Sequence, residues 1–480
     1  MQNTQERVMS NIKKNFVYNL VYQILNLLLP FITVPIISRA LGAESSGIYS
    51  YTYSIVNYFM IFGMLGISNY GNRKIAKSRD NKESLSKNFL SIYSLQLCFN
   101  LISIIIYLIY TLLFSQYKLI TTVEILFLLS NLLDISWFYF GLEKFKITVT
   151  RNIFVKIISL LLIICLVKNP EDLLIYTIIM AASTIISQAI LWWGIKQHIT
   201  LKNLHLVKRD FTKHIKGIFI LFIPVISYSI YRIMDKIMLG IQSSMAEVGY
   251  YEYAEKIIGI PLGFIAALGA VMLPQISNLV ANKNIGKTMA YLEKSLKFLM
   301  LTTIPCAFGL IAISHDFSIL FLGSDYARTG QILNFLSITL FFTAWANVIR
   351  TQWLIPQEKD SIYVSTTILG AIVNFVINLC LIPSLGGIGA AIGTIAAEFI
   401  IMFSQSFFIR KEIPLKRLAM PTVKFFIAGL IMFLACLLLN ALLINQPPVV
   451  NIIVDVLTGA LIYLLLNVRS IKDTCNTQNI

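Results

Sequence analysis

The chain has 480 residues, of which 57% are apolar or aromatic (A, V, I, L, M, F, W, Y or C) and only 13% are charged, with a mean hydropathy of +0.76. A soluble domain is about 45–50% apolar and about 25% charged, and single soluble cores stop growing near ~250–300 residues. The composition therefore excludes a soluble globular protein and predicts an integral membrane protein. The net charge of +16 needs no nucleic-acid partner, because the basic residues sit in connections between apolar runs and follow the logic of membrane topology.

In chain order the apolar runs predict helices at 15–38, 46–68, 89–115, 119–141, 152–167, 172–194, 217–240, 254–280, 295–314, 331–355, 361–383, 386–409, 420–444 and 449–467. They are too long for barrel strands, which need only about 9–11 residues, and suit helical spans of about 20. An all-α membrane protein of about fourteen transmembrane helices follows, with no room left for a folded catalytic domain outside the bilayer. Thirty-one of the 39 Lys and Arg fall on one side of that arrangement. The positive-inside rule then places both termini in the cytoplasm and requires an even number of spans. Twelve would satisfy it too, if the weak pair within 152–194 were lost. The basic connections 69–88 and 195–216 are expected on anionic headgroups. The polar, basic start and the long first apolar run do not match a cleavable signal peptide. Cys98, Cys165, Cys306, Cys380 and Cys436 lie in apolar runs and read as small buried residues.

The sequence repeats itself. Leu41-Gly42, two serines and Gly47-Ile48-Tyr49-Ser50-Tyr51 follow the first span; Leu239-Gly240, two serines and Gly249-Tyr250-Tyr251-Glu252-Tyr253 follow the seventh. The second motif lies 202 residues after the first, and Leu65-Gly66 matches Leu268-Gly269 at an offset of 203. Pro30 and Pro224 also correspond. Six spans separate the copies, so the repeat keeps its orientation in the membrane. Two pseudo-symmetric six-helix lobes with a cleft between them are the expected plan. The expected boundaries are 1–200, 201–418 and an appended 419–480 holding the last two helices.

A charge at membrane depth costs roughly 2.5–3.5 kcal/mol on insertion scales and marks a functional position. The seventh span carries Tyr231-Arg232-Ile233-Met234-Asp235-Lys236. Arg232 and Asp235 share a helical face and can pair, which leaves Lys236 as surplus positive charge. Arg39 in the first span and Arg350 in the tenth are further cavity candidates, although snorkelling explains both positions equally well. Tyr49 and Tyr251 belong to tyrosine-rich helix ends, which form either an interfacial belt or a sugar-facing surface. Asp235, Glu398 and Asp134 are the candidates for ion coupling. Glu398 shares a face with Gly387, Ala391 and Thr394, beside a packing stripe of Gly389, Gly393 and Ala397. Glu124 falls near the outer interface, where exposure alone would explain it. His198, His205 and His214 read as the solvated surface of one cytoplasmic loop. There is no Walker A run, HExxH, GxSxG or Cys/His metal spacing. A transporter without a cofactor is expected, driven by a proton or sodium gradient, by the substrate's own concentration difference, or by both.

The runs Lys14-Asn15-Phe16-Val17-Tyr18-Asn19, Pro35-Ile36-Ile37-Ser38-Arg39-Ala40-Leu41-Gly42 and Tyr231-Arg232-Ile233-Met234-Asp235-Lys236-Ile237-Met238-Leu239-Gly240 resemble those of the polysaccharide repeat-unit flippases. These are the Wzx-type members of the multidrug/oligosaccharidyl-lipid/polysaccharide exporter superfamily. The resemblance implies two six-helix lobes in a V around a central cavity, in a bacterial cytoplasmic-membrane protein that moves an undecaprenyl-diphosphate-linked oligosaccharide to the outer leaflet. A polymerase and glycosyltransferases of the same pathway would be its partners. It gives most weight to Arg232, Asp235 and Lys236. The same superfamily holds drug exporters and exporters of other lipid precursors. A membrane-embedded polymerase is the reading from a different class, and it would need a long outer loop with catalytic side chains.

Overall fold

A computed structural model describes the backbone of residues 2–200, 208–442 and 446–476; side chains are described from residue 29 onward, except 201–210, 224, 227–228, 230–231, 443–445 and 473–480. The Lys14–Asn19 motif, His205, Pro224, Tyr231 and Cys475 lie outside the described side chains.

Among the described residues there is no strand. The helices are α1 (Gln2–Met64), α2 (Ile67–Ser78), α3 (Lys82–Leu113), α4 (Lys118–Leu132), α5 (Ser136–Gly141), α6 (Phe145–Leu166), α7 (Leu173–Trp193) and α8 (Lys208–Gln242). They continue with α9 (Met245–Ala281), α10 (Ile285–Leu322), α11 (Ala327–Ile349), α12 (Asp360–Leu385), α13 (Gly387–Ile409), α14 (Leu415–Leu442) and α15 (Pro448–Asn476). Eleven described segments are long and apolar enough to cross a membrane. The two arms of α1, together with α8, bring these to the fourteen spans expected. The outer surface is apolar: Leu113, Leu438 and Leu465 are all exposed, as lipid-facing side chains should be.

The first two expected spans are arms of one helix. They are joined at Gly42, whose φ of 71° and ψ of 176° break α1 in a region that essentially only glycine occupies. The connection after the second arm is not a loop. Ile67, Gly71, Ile75 and Ser78 recur at helical spacing and are all buried, so residues 67–78 form the short helix α2.

By packing the chain divides into two compact units, Met1–Ile233 and Met234–Ile480. The core of the first is built on Phe89, Trp137, Phe138 and Tyr139 under α2 and α3. Its expected span 119–141 is broken between α4 and α5. Gln96 seals the break, donating to the carbonyls of Asn131 (3.1 Å) and Asp134 (2.7 Å). The indoles of Trp137 and Trp192 donate to Gln96 Oε1 and to the Leu133 carbonyl, each at 2.9 Å. A helix break at membrane depth persists only when its carbonyls find such partners.

The repeat is visible in how each unit is built. In the first, Tyr51 meets Tyr117 edge-on, 6.5 Å between ring centres. In the second, Tyr253 meets Tyr326 in the same way at 5.3 Å. Tyr117 and Tyr326 each precede the helix that begins the fourth and the tenth span. In each unit an asparagine closes over a helix glycine, Asn100 of α3 over Gly63 and Asn347 of α11 over Gly269, leaving no room for a Cβ on either glycine. Helices α14 and α15 pack on each other and on α10.

Two expectations fail. Of the five cysteines with described side chains, four are exposed and only Cys436 is buried. A thiol is small and apolar enough to face lipid as readily as core. His214 is not on a solvated surface but fully buried in α8, with its Nδ1 2.8 Å from the Tyr70 hydroxyl.

Candidate functional site

Asp235 stands in α8 and is 2% exposed. Three helices supply its partners, all neutral. Tyr251 of α9 donates its hydroxyl to Oδ2 at 2.7 Å, and Thr394 of α13 donates to the same oxygen at 2.7 Å. Asn378 of α12 donates its amide to Oδ1 at 2.6 Å. Behind Asn378, one helical turn back, Asn374 accepts from it at 3.2 Å. The Asn378 Oδ1 and the Asn374 Nδ2 are buried without a partner. The close approach of α12 and α13 depends on Gly393, because a Cβ there would run into Asn378 Oδ1. The small-residue stripe expected for packing therefore also shapes the wall of the carboxylate site.

The expected Arg232–Asp235 pair is not formed. Among the described residues Asp235 makes no ion pair; hydroxyl and amide donors take its lone pairs instead, and Arg232 is half-buried one turn earlier. Lys236 is not surplus charge either. Its ammonium lies 2.9 Å from Glu252 and 3.2 Å from Glu255 of α9, and Glu252 also binds Lys256 at 3.1 Å. Adjacent residues of α8 thus meet opposite surroundings, one carboxylate among neutral donors and one ammonium among carboxylates. The Tyr251 of the repeat motif belongs to the Asp235 site. Its counterpart Tyr49 stacks with Tyr53 at 5.6 Å and meets Tyr176 edge-on at 4.8 Å.

The other expected residues have surroundings of their own. Arg39 is exposed. Arg350 opens a π-helical turn, Arg350–Leu354, with its guanidinium 5.7 Å from the Tyr363 ring centre. Glu398 is buried in α13, one turn beyond Thr394. Asp134 accepts from the Ser136 N–H at 2.7 Å, at the break between α4 and α5.

Glu124 is 0% exposed, so the exposure expected of it does not account for it. Thr52 donates to its Oε1 at 2.8 Å and Tyr107 to its Oε2 at 3.1 Å. Both arms of the signal were present. Ile120, Thr121, Glu124, Phe127, Leu128 and Asn131 fall on one face of α4 and are all buried, a stripe turned to protein rather than to water.

Chemically, Asp235 and Glu124 are carboxyl groups held away from water, each with hydroxyl donors and no counter-charge among the described residues. Burying an ion this way is costly unless a proton or cation neutralises it.

Residues 12–280 match the family model described as polysaccharide biosynthesis protein. A protein of Escherichia coli K12 named as an O-antigen transporter is 26% identical over 416 residues, covering 84% of this chain and 97% of its own. A Haloferax volcanii protein named as a flippase of low-salt glycan biosynthesis is 26% identical over 164 residues, 34% of each chain. Among solved structures, the lipid II flippase MurJ superposes with a TM-score of 0.75 at 17% identity, covering 96% of this chain and 99% of that one. An inward-facing multidrug MATE transporter gives 0.62 at 13% identity, covering 84% and 98%. The two structures establish the shared fold; the family match spans more than half of the sequence. The chain is a multi-pass membrane protein of the polysaccharide biosynthesis protein family.

Proposed function

We propose that this protein is a flippase that carries lipid-linked oligosaccharide repeat units, on an undecaprenyl diphosphate carrier, from the cytoplasmic to the outer leaflet of a bacterial cytoplasmic membrane. The observation that carries the reading is similarity over 84% of the chain to a protein named as an O-antigen transporter, in a chain whose membrane interior holds charged side chains. The head of such a lipid is anionic and strongly hydrated, while its tail belongs in hydrocarbon. A protein that moves it must present cations and hydroxyls to the head. Arg232, Arg39 and Arg350 are the cations proposed for that role, with Tyr49 toward the sugars; the buried Tyr251 hydroxyl is already given to Asp235. Lys236 joins them only if Glu252 and Glu255 release it. Movement is by alternating access, the lobe 1–200 rocking against 201–418, with both termini in the cytoplasm.

Ion-gradient coupling is assigned to Asp235. Its buried carboxylate is met by the hydroxyls of Thr394 and Tyr251 and by the Asn378 amide NH₂, neutral donors that leave its charge to a proton or a hard monovalent cation. Glu398 is the second candidate. Asp134, already engaged by the Ser136 N–H, is the weakest.

Cells lacking the gene and complemented with Arg232→Ala or Asp235→Ala test the reading. The variants should reach the membrane, abolish surface polysaccharide and leave lipid-linked repeat units inside. Normal surface polymer in both variants would remove the site on α8.

A further inference from the structure

A groove lies between α10, α11, α13 and α14, within the second compact unit. Its volume is about 560 Å³, and Met300, Ile304, Phe308, Phe341, Trp345 and Phe426 are among the side chains that line it. Two lining groups could hydrogen-bond, and both are engaged. The Trp345 indole donates to the Ser406 hydroxyl at 3.0 Å, and the Thr422 hydroxyl donates to the Leu418 carbonyl at 3.5 Å. Water in such a space would find too few partners, and a void would forfeit the contacts of every side chain around it. Hydrocarbon is the filling these walls suit, and it has a way in. Phe426 on the rim is exposed, as are Val423, Ile427 and Leu430 beside it on α14, an apolar face of the kind that lipid covers.

The groove has a definite length and a charged end. Its wall on α10 runs from Met300 to Ile311, about 16 Å along the axis at 1.5 Å per residue. That is close to one leaflet of a hydrocarbon core about 30 Å thick. Lys297, Met300, Ile304, Phe308 and Ile311 recur at helical spacing, so Lys297 stands one turn before Met300 on the lining face. It is half-buried, and among the described residues it makes no ion pair. Glu293, one turn further back, is already bound to Arg417 of α14 at 3.0 Å. An unpaired ammonium at the mouth of an apolar groove one leaflet deep matches a lipid with a phosphate head and an acyl tail. The chain of an undecaprenyl carrier is much longer than one leaflet is deep, whereas a fatty acyl chain fits. The uncompensated positive charge favours a head that is anionic overall over one that carries its own ammonium.

We propose that this groove holds one acyl chain of an anionic glycerophospholipid of the phosphatidylglycerol type, with its phosphate on Lys297, and that the lipid joins α14 to α10, α11 and α13. The site is independent of the transport reading and shares no residue with the Asp235 cluster.

The test uses the full-length protein, purified in a mild detergent, freed of lipid and titrated with phosphatidylglycerol, with binding read by native mass spectrometry. One lipid should bind ahead of any others, and phosphatidylcholine with the same chains should bind more weakly. Lys297→Gln should weaken phosphatidylglycerol binding by about fivefold, the effect of one basic residue near an anionic headgroup, and should narrow the gap between the two lipids. Ile338→Trp puts bulk into the groove and should weaken the binding of both; Met402→Phe serves in its place if that variant fails to fold. Lys146→Gln, which removes an exposed charge in the other unit, should bind as the parent does. Glycerol phosphate in large excess should not compete, because it lacks the chain. Equal binding of the two lipids by the parent, unchanged binding in either Lys297→Gln or the groove variant, or displacement by glycerol phosphate overturns the proposal. So does stronger binding of undecaprenyl phosphate in competition, which would give the groove to the carrier lipid.

Discussion

Replacing Asp235 with Ala should separate function from stability, and the geometry says by how much. The side chain receives three hydrogen bonds, from Tyr251, Thr394 and Asn378. Each donor has a partner to fall back on. Thr394 already reaches the Ala390 carbonyl at 3.1 Å, the Tyr251 and Thr394 hydroxyls are 3.1 Å apart, and Asn378 lies 3.2 Å from Asn374 Oδ1. No buried donor is orphaned. Interhelical hydrogen bonds in membranes average roughly 0.6 kcal/mol, so losing three costs about 2 kcal/mol. Removing an uncompensated buried carboxylate offsets part of that cost. Asp235→Ala should therefore stay in the membrane and melt within a few degrees of the parent, while transport is lost. Asp235→Asn should be closer still in stability and equally inactive. The assay pairs thermal melting of purified protein with surface polysaccharide in complemented cells. A variant that fails to accumulate in the membrane would show that the carboxylate is structural. A variant with full surface polymer would show that it is dispensable.

Other substitutions probe the supports around the site. Lys236→Ala should destabilise by about 3 kcal/mol, because it leaves carboxylates of α9 undercompensated, and Glu255→Gln in the same chain should recover part of the loss in a double-mutant cycle. Gly42→Ala should cost about 1–3 kcal/mol through backbone strain alone, since a Cβ there meets nothing within 4 Å; thermal melting measures it. Gly393→Leu should push α12 from α13 at Asn378 and reduce transport more than it reduces the amount of protein in the membrane. Burial works against ionisation of Glu412, but Lys359 and the Trp353 indole outweigh it and hold its carboxyl below the ordinary range. A depressed folded-state pKa gives stability that is present above the unfolded value, about 4.3, and is lost as pH falls through the folded one. Glu412→Gln should therefore lower the melting midpoint at neutral pH and leave it unchanged in strong acid.

Much of the fold was legible because lipid is a demanding solvent. Every span must be helical and about 20 residues long, so apolar runs alone marked the spans. The Gly-x-Tyr-x-Tyr units pointed to a repeat that reappears in the matched Tyr51–Tyr117 and Tyr253–Tyr326 contacts. Position along a span was the poorer guide. Glu124 sits in the second turn of α4 and looked interfacial, yet Thr52 and Tyr107 from α1 and α3 enclose it. For Asp235, the nearby Arg232 suggested a local pair. The actual partners include Asn378 and Thr394, which lie 143 and 159 residues away. Two asparagines spaced four apart in the otherwise apolar α12 were a readable trace of that site. Nothing in one-dimensional spacing said which helix they would face. The short helix α2 was hidden for a different reason: its basic residues dominated the composition, while its apolar stripe of Ile67, Gly71 and Ile75 was narrow.

The most direct measurement places purified protein in sealed vesicles with a fluorescent undecaprenyl-diphosphate oligosaccharide in one leaflet and an ion gradient across the membrane. Lipid-linked sugar should cross in vesicles holding the parent protein, and should stay behind in empty vesicles and in those holding Asp235→Asn. Equal movement in all three would contradict transport through this protein.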